Sequence, residues 1–375
     1  MSDTDGLPGS LAELLSQLDR DGVTDYRRYS MVRRYMGFKA REKGVPISGS
    51  FELTPLCNLD CKMCYVHLNR EQMHGAELLS VETWKDLMRQ AVDAGMMYAT
   101  LTGGECLTYP GFRELYLYLR SMGVETSILS NGLLMDDDMV EFLKENPPSS
   151  IQITVYGASE EGYERVTGHR SFAQVMENIQ RIRRAELPLR VPITPNAYMQ
   201  DGEEIVRMLH EMGVRFQINN GLMMPRDETG RTKHDADVNV YVRLLKLVRQ
   251  LQDGVECVGC DENDLPDPGG GSTEAVKGVR CGAGRSAFCI TWNGTMRPCN
   301  TFPKVSADVM RLGFAESWQR INAQVKEFPQ PVECEGCAYS NRCSSCVSEH
   351  ASSAPIGHVN PARCQWTKRM VAEGF

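Results

Sequence analysis

Three cysteines lie close together in the first fifth of the sequence: Cys57, Cys61 and Cys64. Their C-x3-C-x2-C spacing suits three irons of one 4Fe–4S cluster, because each thiolate binds a different iron. The next cysteine, Cys106, follows 42 residues later, so the fourth iron would lack a protein thiolate and could bind a small molecule. Zinc is the alternative, since two nearby histidines could supply the fourth ligand that a structural zinc needs. These histidines are His67 and His74.

A second, larger group of cysteines occupies the C-terminal quarter of the chain. Seven of them, in order, are Cys281, Cys299, Cys334, Cys337, Cys343, Cys346 and Cys364, and Cys289 is the eighth. The segment CITWNGTMRPC predicts a β-hairpin with Asn293-Gly294 at its turn, and a hairpin brings distant cysteines together. The spacing C-x2-C-x5-C-x2-C would also suit one zinc held by four thiolates, so zinc is an alternative here too.

Composition narrows the class of protein. Fourteen cysteines in 375 residues indicate metal or redox chemistry, because they are too unevenly placed for a disulfide scaffold. The net charge of −8 argues against a general nucleic-acid-binding surface. No apolar run approaches the ~20 residues of a membrane span, and the amino terminus has no secretory signal pattern. We therefore expect a cytoplasmic protein with neither a membrane nor a nucleic acid as partner.

The elements that must position these cysteines follow an alternating pattern. From residue 48, six strand-like runs alternate with helical patterns: SGSFELTP, MYATLTGG, VETSILSNG, SIQITVYG, LRVPITPN and VRFQINNG. Six such units predict an α/β fold, a full or partial parallel (β/α)6 barrel of the TIM type, with its chemistry at the carboxyl ends of the strands. Those ends carry Cys57, Gly103-Gly104-Glu105, Ser130-Asn131, Tyr156-Gly157, Thr194, Asn196 and Asn219-Asn220.

The chain divides into four predicted segments. Residues 1–47 form a short extension with a leucine-patterned helix and a basic stretch, expected to lie as a helical lid on the barrel. Contact with a leader peptide or a partner is the alternative for this extension. Residues 48–232 form the barrel, residues 233–280 a helix and a Pro/Gly-rich linker, and residues 281–375 a cysteine-rich domain.

The segment CNLDCKMC, placed after the first predicted strand, resembles the radical S-adenosylmethionine (SAM) superfamily. In that family the open iron chelates SAM, and an electron cleaves SAM to a 5′-deoxyadenosyl radical that abstracts a hydrogen atom. A second motif is similar too, because Gly103, Gly104 and Glu105 match the GGE turn that binds the SAM amino group. Two positions depart from the family pattern: Met63, which is often aromatic, and Cys106, which is proline in many relatives.

The resemblance implies further site residues. Ser130 and Asn131 would contact SAM from the third strand, and Asn196 would contact the ribose region. Arg165 resembles an arginine that pairs with the SAM carboxylate, with a solvated helix arginine as the alternative. Cys106 would either donate a hydrogen atom to a substrate radical or be a small buried hydrophobic residue.

The seven ordered C-terminal cysteines resemble the SPASM module, although their last pair is separated by two residues where three are common. The resemblance implies two auxiliary 4Fe–4S clusters, three clusters in all. One would use Cys281, Cys299 and Cys346, and the other Cys334, Cys337, Cys343 and Cys364. The fourth ligand of the first stays open between Cys289, Cys257, Cys260 and an open iron.

The resemblance implies a radical SAM/SPASM oxidoreductase that modifies a peptide or protein oxidatively, by crosslinking or dehydrogenation. Flavodoxin or ferredoxin would be its external electron donor. A small-molecule dehydrogenase or epimerase is the alternative, and a non-enzymatic iron–sulfur electron carrier a more remote one. Because 56 residues precede Cys57, we expect a leader-binding domain to be absent or supplied by another chain.

Overall fold

A computed structural model describes residues 10–20, 25–219, 221–222, 234–252, 278–340, 342–343 and 346–375. The strands within this part are β1 Ser48–Glu52, β2 Tyr98–Thr102, β3 Glu125–Ser130, β4 Ser150–Ile153, β5 Leu189–Ile193, β6 Phe216–Ile218, β7 Ala287–Ile290, β8 Thr295–Arg297 and β9 Ala307–Asp308. The first eight helices are α1 Leu11–Arg20, α2 Asp25–Lys43, α3 Val81–Asp93, α4 Phe112–Ser121, α5 Asp137–Glu145, α6 Glu160–Thr167, α7 Phe172–Arg184 and α8 Gly202–Glu211. Four more follow: α9 Val238–Gln252, α10 Val309–Glu327, α11 Val347–Ser353 and α12 Pro361–Ala372. None of the helices in this part is long and apolar enough to cross a membrane.

The strands form one curved sheet in the order β6-β5-β4-β3-β2-β1-β7-β8-β9. Strands β1 to β6 pair in parallel, and a helix follows each of the first five along the chain. Parallel neighbours need a crossover connection, and helices supply it here. The predicted partial (β/α)6 barrel is therefore confirmed, and its carboxyl strand ends meet along one edge.

The main core lies between the sheet and the helices outside it. Phe51 of β1 is fully buried, with its ring centroid 6.0 Å from Trp84 of α3 and 5.9 Å from Phe288 of β7, both edge-on. Since side chains alternate along a strand, the neighbours Ser50 and Glu52 point into the barrel. This alternation is what delivers polar side chains to the interior.

The predicted C-terminal hairpin is present as β7 and β8, with Gly294 at its turn in the left-handed region (φ +80°). The sequence did not predict that β7 also pairs in parallel with β1, where Cys289 lies opposite Ser50. This pairing extends the barrel sheet into the cysteine-rich segment. The Trp318 indole N–H of α10 also donates to the Gly44 carbonyl over 2.8 Å, which links α10 to the loop between α2 and β1.

The two amino-terminal helices pack on each other and on the barrel. Leu14 and Leu18 of α1 form a small buried cluster with Tyr35 of α2. Further along α2, Ala40 packs with Tyr98 of β2. Helix α2 thus rests against the barrel near the amino ends of its strands.

Candidate functional site

The loop between β1 and α3, residues 53–80, is called the cysteine loop here, and it carries Cys57, Cys61 and Cys64. Backbone amides point at two of its sulfurs: Leu59 N–H donates to Cys57 Sγ over 3.4 Å, and His67 N–H to Cys64 Sγ over 3.2 Å. Burial raises the pKa of Cys57 to about 11 and that of Cys61 well above its ordinary value. Negative charge on a neighbouring sulfur of the triad raises both pKa values further, so the three sulfurs lie near one another. Metal ligation requires the thiolate form of cysteine, so a bound iron would take the place of each thiol proton.

The Gly103-Gly104-Glu105 turn packs directly on the start of the cysteine loop. Gly104 N–H donates to the Thr54 carbonyl over 2.8 Å, and Glu105 N–H to the Leu56 carbonyl over 2.9 Å. A Cβ added at Gly103 would lie 2.4 Å from Thr54 O, and one at Gly104 would lie 2.4 Å from Leu56 O. Gly103 also has a φ of +146°. Only glycine permits this approach of two backbones.

The Glu105 carboxylate binds two backbone amides inside the protein. It is 1% exposed and accepts from Leu107 N–H over 3.1 Å and from Asn131 N–H over 2.7 Å. Burial raises its pKa, although these hydrogen bonds oppose the shift. The Asn131 side-chain amide in turn donates to Asn58 Oδ1 over 2.6 Å and lies 3.6 Å from Cys57 Sγ. The GGE turn, the end of β3 and the cysteine loop are therefore one hydrogen-bonded unit.

Three of the other predicted SAM contacts lie around this unit or next along the sheet. Ser130 is buried at the end of β3, and its Oγ accepts from Gly132 N–H over 3.0 Å. Arg165 on α6 donates through Nε to the Tyr198 carbonyl over 3.1 Å. Asn196, 2% exposed after β5, donates through Nδ2 to the carbonyl of Thr194 over 3.0 Å.

Cys106 follows the GGE turn but belongs to the main core. It is completely buried, and its Sγ donates to the Leu129 carbonyl over 3.2 Å. Burial raises the pKa of this thiol well above its ordinary value. Of the two roles considered for Cys106, this position favours packing.

Cys281, Cys299 and Cys346 form the first C-terminal cysteine group. Cys281 is an exposed residue, but desolvation of its sulfur raises its pKa. Burial raises the pKa of Cys299 to about 11. The negative charge of Cys346 raises both further. Cys299 Sγ also lies 3.4 Å from Thr301 Oγ1. These three cysteines, far apart in the chain, therefore interact electrostatically in the folded protein.

Cys334, Cys337, Cys343 and Cys364 form the second C-terminal cysteine group. Burial raises the pKa of both Cys334 and Cys364, and the charges of Cys343 and Cys337 raise both further. Cys337 N–H donates to the Cys334 carbonyl over 3.3 Å in a tight turn. Cys343 Sγ lies 3.4 Å from Thr367 Oγ1 of α12, the helix that carries Cys364.

Of the candidate fourth ligands for the first group, Cys289 is buried on β7. Cys257 and Cys260 lie outside the described residues, as does Asn220, which the sequence pattern placed at the end of the sixth strand. Within the described part, no three His, Cys, Asp or Glu side chains surround a point that could hold a single metal ion. The thiolates of a 4Fe–4S cluster bind separate irons and do not converge on one point.

Two residues that the sequence analysis passed over, Glu52 and Tyr65, lie in or next to the cysteine loop. Glu52, at the end of β1, is a fully buried carboxylate. Burial raises the pKa of Tyr65, and the nearby charges of Glu52, Cys64 and Cys289 raise it further. In the sequence, Glu52 could have been noticed as the one charged residue within the strand pattern SGSFELTP.

The sequence matches a family model described as Radical SAM superfamily over residues 51–209. Residues 51–209 are a radical SAM domain. They include the cysteine loop and the GGE turn, which are the two motifs that the sequence analysis matched to this superfamily. The prediction of a radical SAM enzyme is confirmed.

The similarity to curated relatives extends beyond the radical SAM domain. The chain is 25% identical over 346 residues to the antilisterial bacteriocin subtilosin biosynthesis protein AlbA of Bacillus subtilis, covering 88% of this chain and 73% of AlbA. It is 30% identical over 203 residues to the sporulation killing factor maturation protein SkfB of the same organism, covering 53% and 48%. An AdoMet-dependent heme synthase of Methanosarcina barkeri is 24% identical over 330 residues, covering 79% and 90%.

Solved structures show the same fold. Streptococcus suis SuiB bound to S-adenosylmethionine superposes with a TM-score of 0.67 at 19% identity, covering 94% of this chain and 86% of SuiB. Native anSMEcpe with bound AdoMet gives a TM-score of 0.69 at 17% identity, covering 88% and 97%. Both overlaps reach past the barrel into the cysteine-rich segment.

Proposed function

We propose that this radical SAM enzyme oxidises a peptide or protein substrate by abstracting a hydrogen atom, forming a crosslink or a double bond. The observation that carries the proposal is the pairing of β7 with β1, which joins the cysteine-rich segment to the barrel. The pKa shifts that cysteines of each proposed group cause in one another support it. The names of AlbA and SkfB refer to bacteriocin biosynthesis and killing-factor maturation. A PqqA peptide cyclase of Rhizobium meliloti is also 24% identical over 317 residues.

In this proposal the cysteine loop holds a 4Fe–4S cluster through its three thiolates. Such a cluster, when bound, supplies the electron that cleaves SAM to methionine and the deoxyadenosyl radical. The loop fits this role because backbone amides already point at its sulfurs, as they do at cluster thiolates. An external donor such as flavodoxin or ferredoxin would deliver the electron.

The SAM site would form beside the cysteine loop. Gly103 and Gly104 would line it with backbone, because a side chain at either position would collide with the loop. Glu105 would hold the turn and Asn131 in place through its two buried hydrogen bonds. The remaining proposed contacts are Ser130, Arg165 and Asn196.

The two C-terminal cysteine groups would each hold an auxiliary 4Fe–4S cluster, which supplies an acceptor for one electron of the substrate radical. An oxidised product needs such an acceptor, because hydrogen abstraction removes only one of the two electrons. The fourth ligand of the first group stays unassigned.

A small-molecule substrate is the second candidate, because the heme synthase relative covers 79% of this chain. The two candidate functions share the same SAM chemistry and differ in the substrate that would bind at the carboxyl ends of the barrel strands. Substrate assays rather than SAM cleavage must therefore separate them.

The test is to incubate the reconstituted enzyme with SAM, a reductant and the short peptides encoded beside its gene. We expect one peptide to become two hydrogen atoms lighter per modification, measured by mass spectrometry. An enzyme in which Cys57, Cys61 and Cys64 are all alanine is the control and should leave every peptide unchanged. Conversion of small alcohols or tetrapyrroles, with all peptides unchanged, would contradict the peptide proposal.

A further inference from the structure

Three uncharged polar side chains are hydrogen-bonded to one another near the carboxyl ends of β5 and β6. Asn219 Nδ2 donates to Thr194 Oγ1 over 2.8 Å, and Gln217 Nε2 donates to Asn219 Oδ1 over 3.0 Å. We call Thr194, Asn219 and Gln217 the edge network, because β6 is the outermost strand on this side of the described sheet. The proposed SAM contacts do not include any of these three residues.

The edge network faces the inside of the barrel. Ile193 pairs in register with Ile218, and both pack in the main core between the sheet and the outer helices. Because side chains alternate along a strand, Thr194, Gln217 and Asn219 point to the opposite face. All three are partly exposed, and Gln217 lines the half-open cavity inside the barrel. A ligand that enters the barrel can therefore reach them.

The edge network has hydrogen-bonding groups to spare. A carboxamide carries two donor hydrogens and an acceptor oxygen, and a hydroxyl group both donates and accepts. Among the described residues, Gln217 Oε1 receives no hydrogen bond, and Asn219 Nδ2 uses one of its two hydrogens. The Thr194 hydroxyl accepts from Asn219 and donates to no residue in the same part of the chain. One acceptor and two donors thus remain for a ligand.

The backbone and the side chains hold the edge network in position. Asn219 N–H donates to the Ile193 carbonyl over 2.8 Å, and the Asn219 carbonyl accepts from Gly221 N–H over 3.0 Å. Gln217 is fixed between these bonds and its register partner Pro192. Side chains that are already ordered lose less conformational entropy when a ligand binds. The arrangement therefore favours binding through several weak, neutral hydrogen bonds.

The edge network lies next to the proposed SAM site. Asn196, one of the proposed SAM contacts, donates through Nδ2 to the Thr194 carbonyl over 3.0 Å. Arg190 and Arg215 lie earlier on the same two segments of chain, towards the amino ends of β5 and β6. A substrate held by the edge network would therefore lie beside SAM, on the carboxyl side of these two arginines.

We propose that the edge network binds the backbone of an extended segment of the peptide substrate. A carboxamide carries the same donor and acceptor groups as a peptide bond, so Gln217 Oε1 can accept from a substrate N–H. Asn219 Nδ2 and the Thr194 hydroxyl can donate to substrate carbonyls. This inference rests on the proposed function, because it takes a peptide as the substrate.

The neutral character of the edge network favours a peptide backbone over a carboxylate-rich small molecule. An ionised carboxylate loses hydration when it is buried, and it needs an ionic partner to offset that loss. None of the three side chains in the edge network can supply one. Main-chain hydrogen bonds, by contrast, bind an extended peptide largely irrespective of its side chains.

The test is steady-state kinetics of the reconstituted enzyme with the short peptides encoded beside its gene. The test variant is Gln217→Met, which keeps the length of the side chain and removes its hydrogen-bonding groups. We expect the peptide KM to rise about threefold to tenfold, as the loss of a neutral hydrogen bond predicts, with kcat unchanged. Deoxyadenosine formation without peptide should also be unchanged. Gln324→Met, at an exposed position on α10, is the matched control and should keep the wild-type KM.

A second measurement tests whether the recognised group belongs to the substrate backbone. In a series of peptides, each backbone N–H near the modified residue is replaced in turn by N–CH3. We expect one replacement to raise the KM of the wild type severalfold. The same replacement should have little effect on Gln217→Met, because this variant already lacks the acceptor, and coupled groups give non-additive losses.

Three outcomes would overturn the proposal. The first is an equal KM for the wild type and Gln217→Met with a peptide that both modify, which would leave the proposed function standing. The second is a wild-type KM that no N-methylation changes, which would mean that only substrate side chains are recognised. The third is loss of deoxyadenosine formation by Gln217→Met without peptide, which would assign Gln217 to the SAM site. Conversion of small alcohols or tetrapyrroles, with every peptide unchanged, would instead contradict the proposed function itself and this inference with it.

Discussion

The backbone N–H of Asn131 donates to Glu105 Oε2 over 2.7 Å, in a place where Glu105 is 1% exposed. This bond joins the carboxyl ends of two neighbouring strands, β2 and β3. Because the Asn131 side chain then reaches Asn58 in the cysteine loop, one buried carboxylate positions three segments of the proposed SAM site.

Replacing Glu105 tests this arrangement. In Glu105→Gln, the new NH2 group faces a backbone amide that also donates, so one buried N–H loses its acceptor. We expect a loss of about 1–3 kcal/mol in the free energy of unfolding and weaker SAM binding, by calorimetry. Glu145→Gln, on the exposed surface of α5, is the control and should change neither value. Unaltered SAM affinity in Glu105→Gln would contradict the positioning role.

The raised pKa of Glu105 predicts a pH dependence of stability. Burial holds its folded pKa above the ordinary value of 4.5, so the folded state keeps a proton that the unfolded state has already released. Stability is therefore lost as pH rises from the ordinary pKa through the folded pKa. The free energy of unfolding of the wild type, relative to Glu105→Gln, should fall over this window. A constant difference between the two proteins would contradict the prediction.

Two glycine substitutions form a matched pair. A Cβ at Gly104 would lie 2.4 Å from Leu56 O and 2.6 Å from Pro55 O, so Gly104→Ala must move the turn or the cysteine loop. We expect at least tenfold weaker SAM binding. A Cβ at Gly37, within α2, meets no atom within 4 Å. Gly37→Ala should therefore keep SAM affinity and gain up to about 1 kcal/mol of stability from helix propensity. Equal SAM affinity in both variants would exclude a role for the close backbone contact.

Replacing Cys106 distinguishes a packing role from hydrogen-atom donation. In the packing role, Cys106→Ala removes one buried sulfur and costs roughly 1 kcal/mol of stability. Deoxyadenosine formation and the product should then be unchanged, and no solvent deuterium should enter the product. A product that has lost no hydrogen atoms, carries one solvent deuterium and disappears in Cys106→Ala would instead show that the thiol donates a hydrogen atom.

The sequence predicted most of the barrel because its signals are local. Each strand run and the helix after it carry their own periodicity, and the C-x3-C-x2-C and GGE motifs mark strand ends directly. The pairing of β7 with β1 was missed because it joins Ser50 to Cys289 across more than half the chain. Neither segment carries a local sequence pattern that predicts this pairing.

The functional site likewise combines features that the sequence predicts with contacts that depend on the fold. The cysteine residues could be assigned from their spacing, whereas the contact of Asn131 with Asn58 depends on how two loops meet. The burial of Cys106 could not be read from sequence either. A cysteine after a GGE turn fits a pocket or a core equally well, and the Leu129 carbonyl that receives its Sγ hydrogen bond lies on another strand.

The two C-terminal cysteine groups predict the iron content. The reconstituted wild type should hold about twelve irons, four for each of three clusters. Changing all four cysteines of the second group to alanine should lower this to about eight and leave deoxyadenosine formation intact. Circular dichroism should confirm that the barrel remains folded. A wild type with about four irons and one bound zinc would contradict the proposed auxiliary clusters.

The most direct test of the account is reductive SAM cleavage by a variant in which Cys57, Cys61 and Cys64 are alanine. The wild type, reconstituted without oxygen and supplied with SAM and dithionite, should form deoxyadenosine. The variant should form none, while its C-terminal cysteine groups still bind about eight irons. Deoxyadenosine formation by the variant at the wild-type rate would contradict the assignment of these three cysteines to the SAM-cleaving cluster.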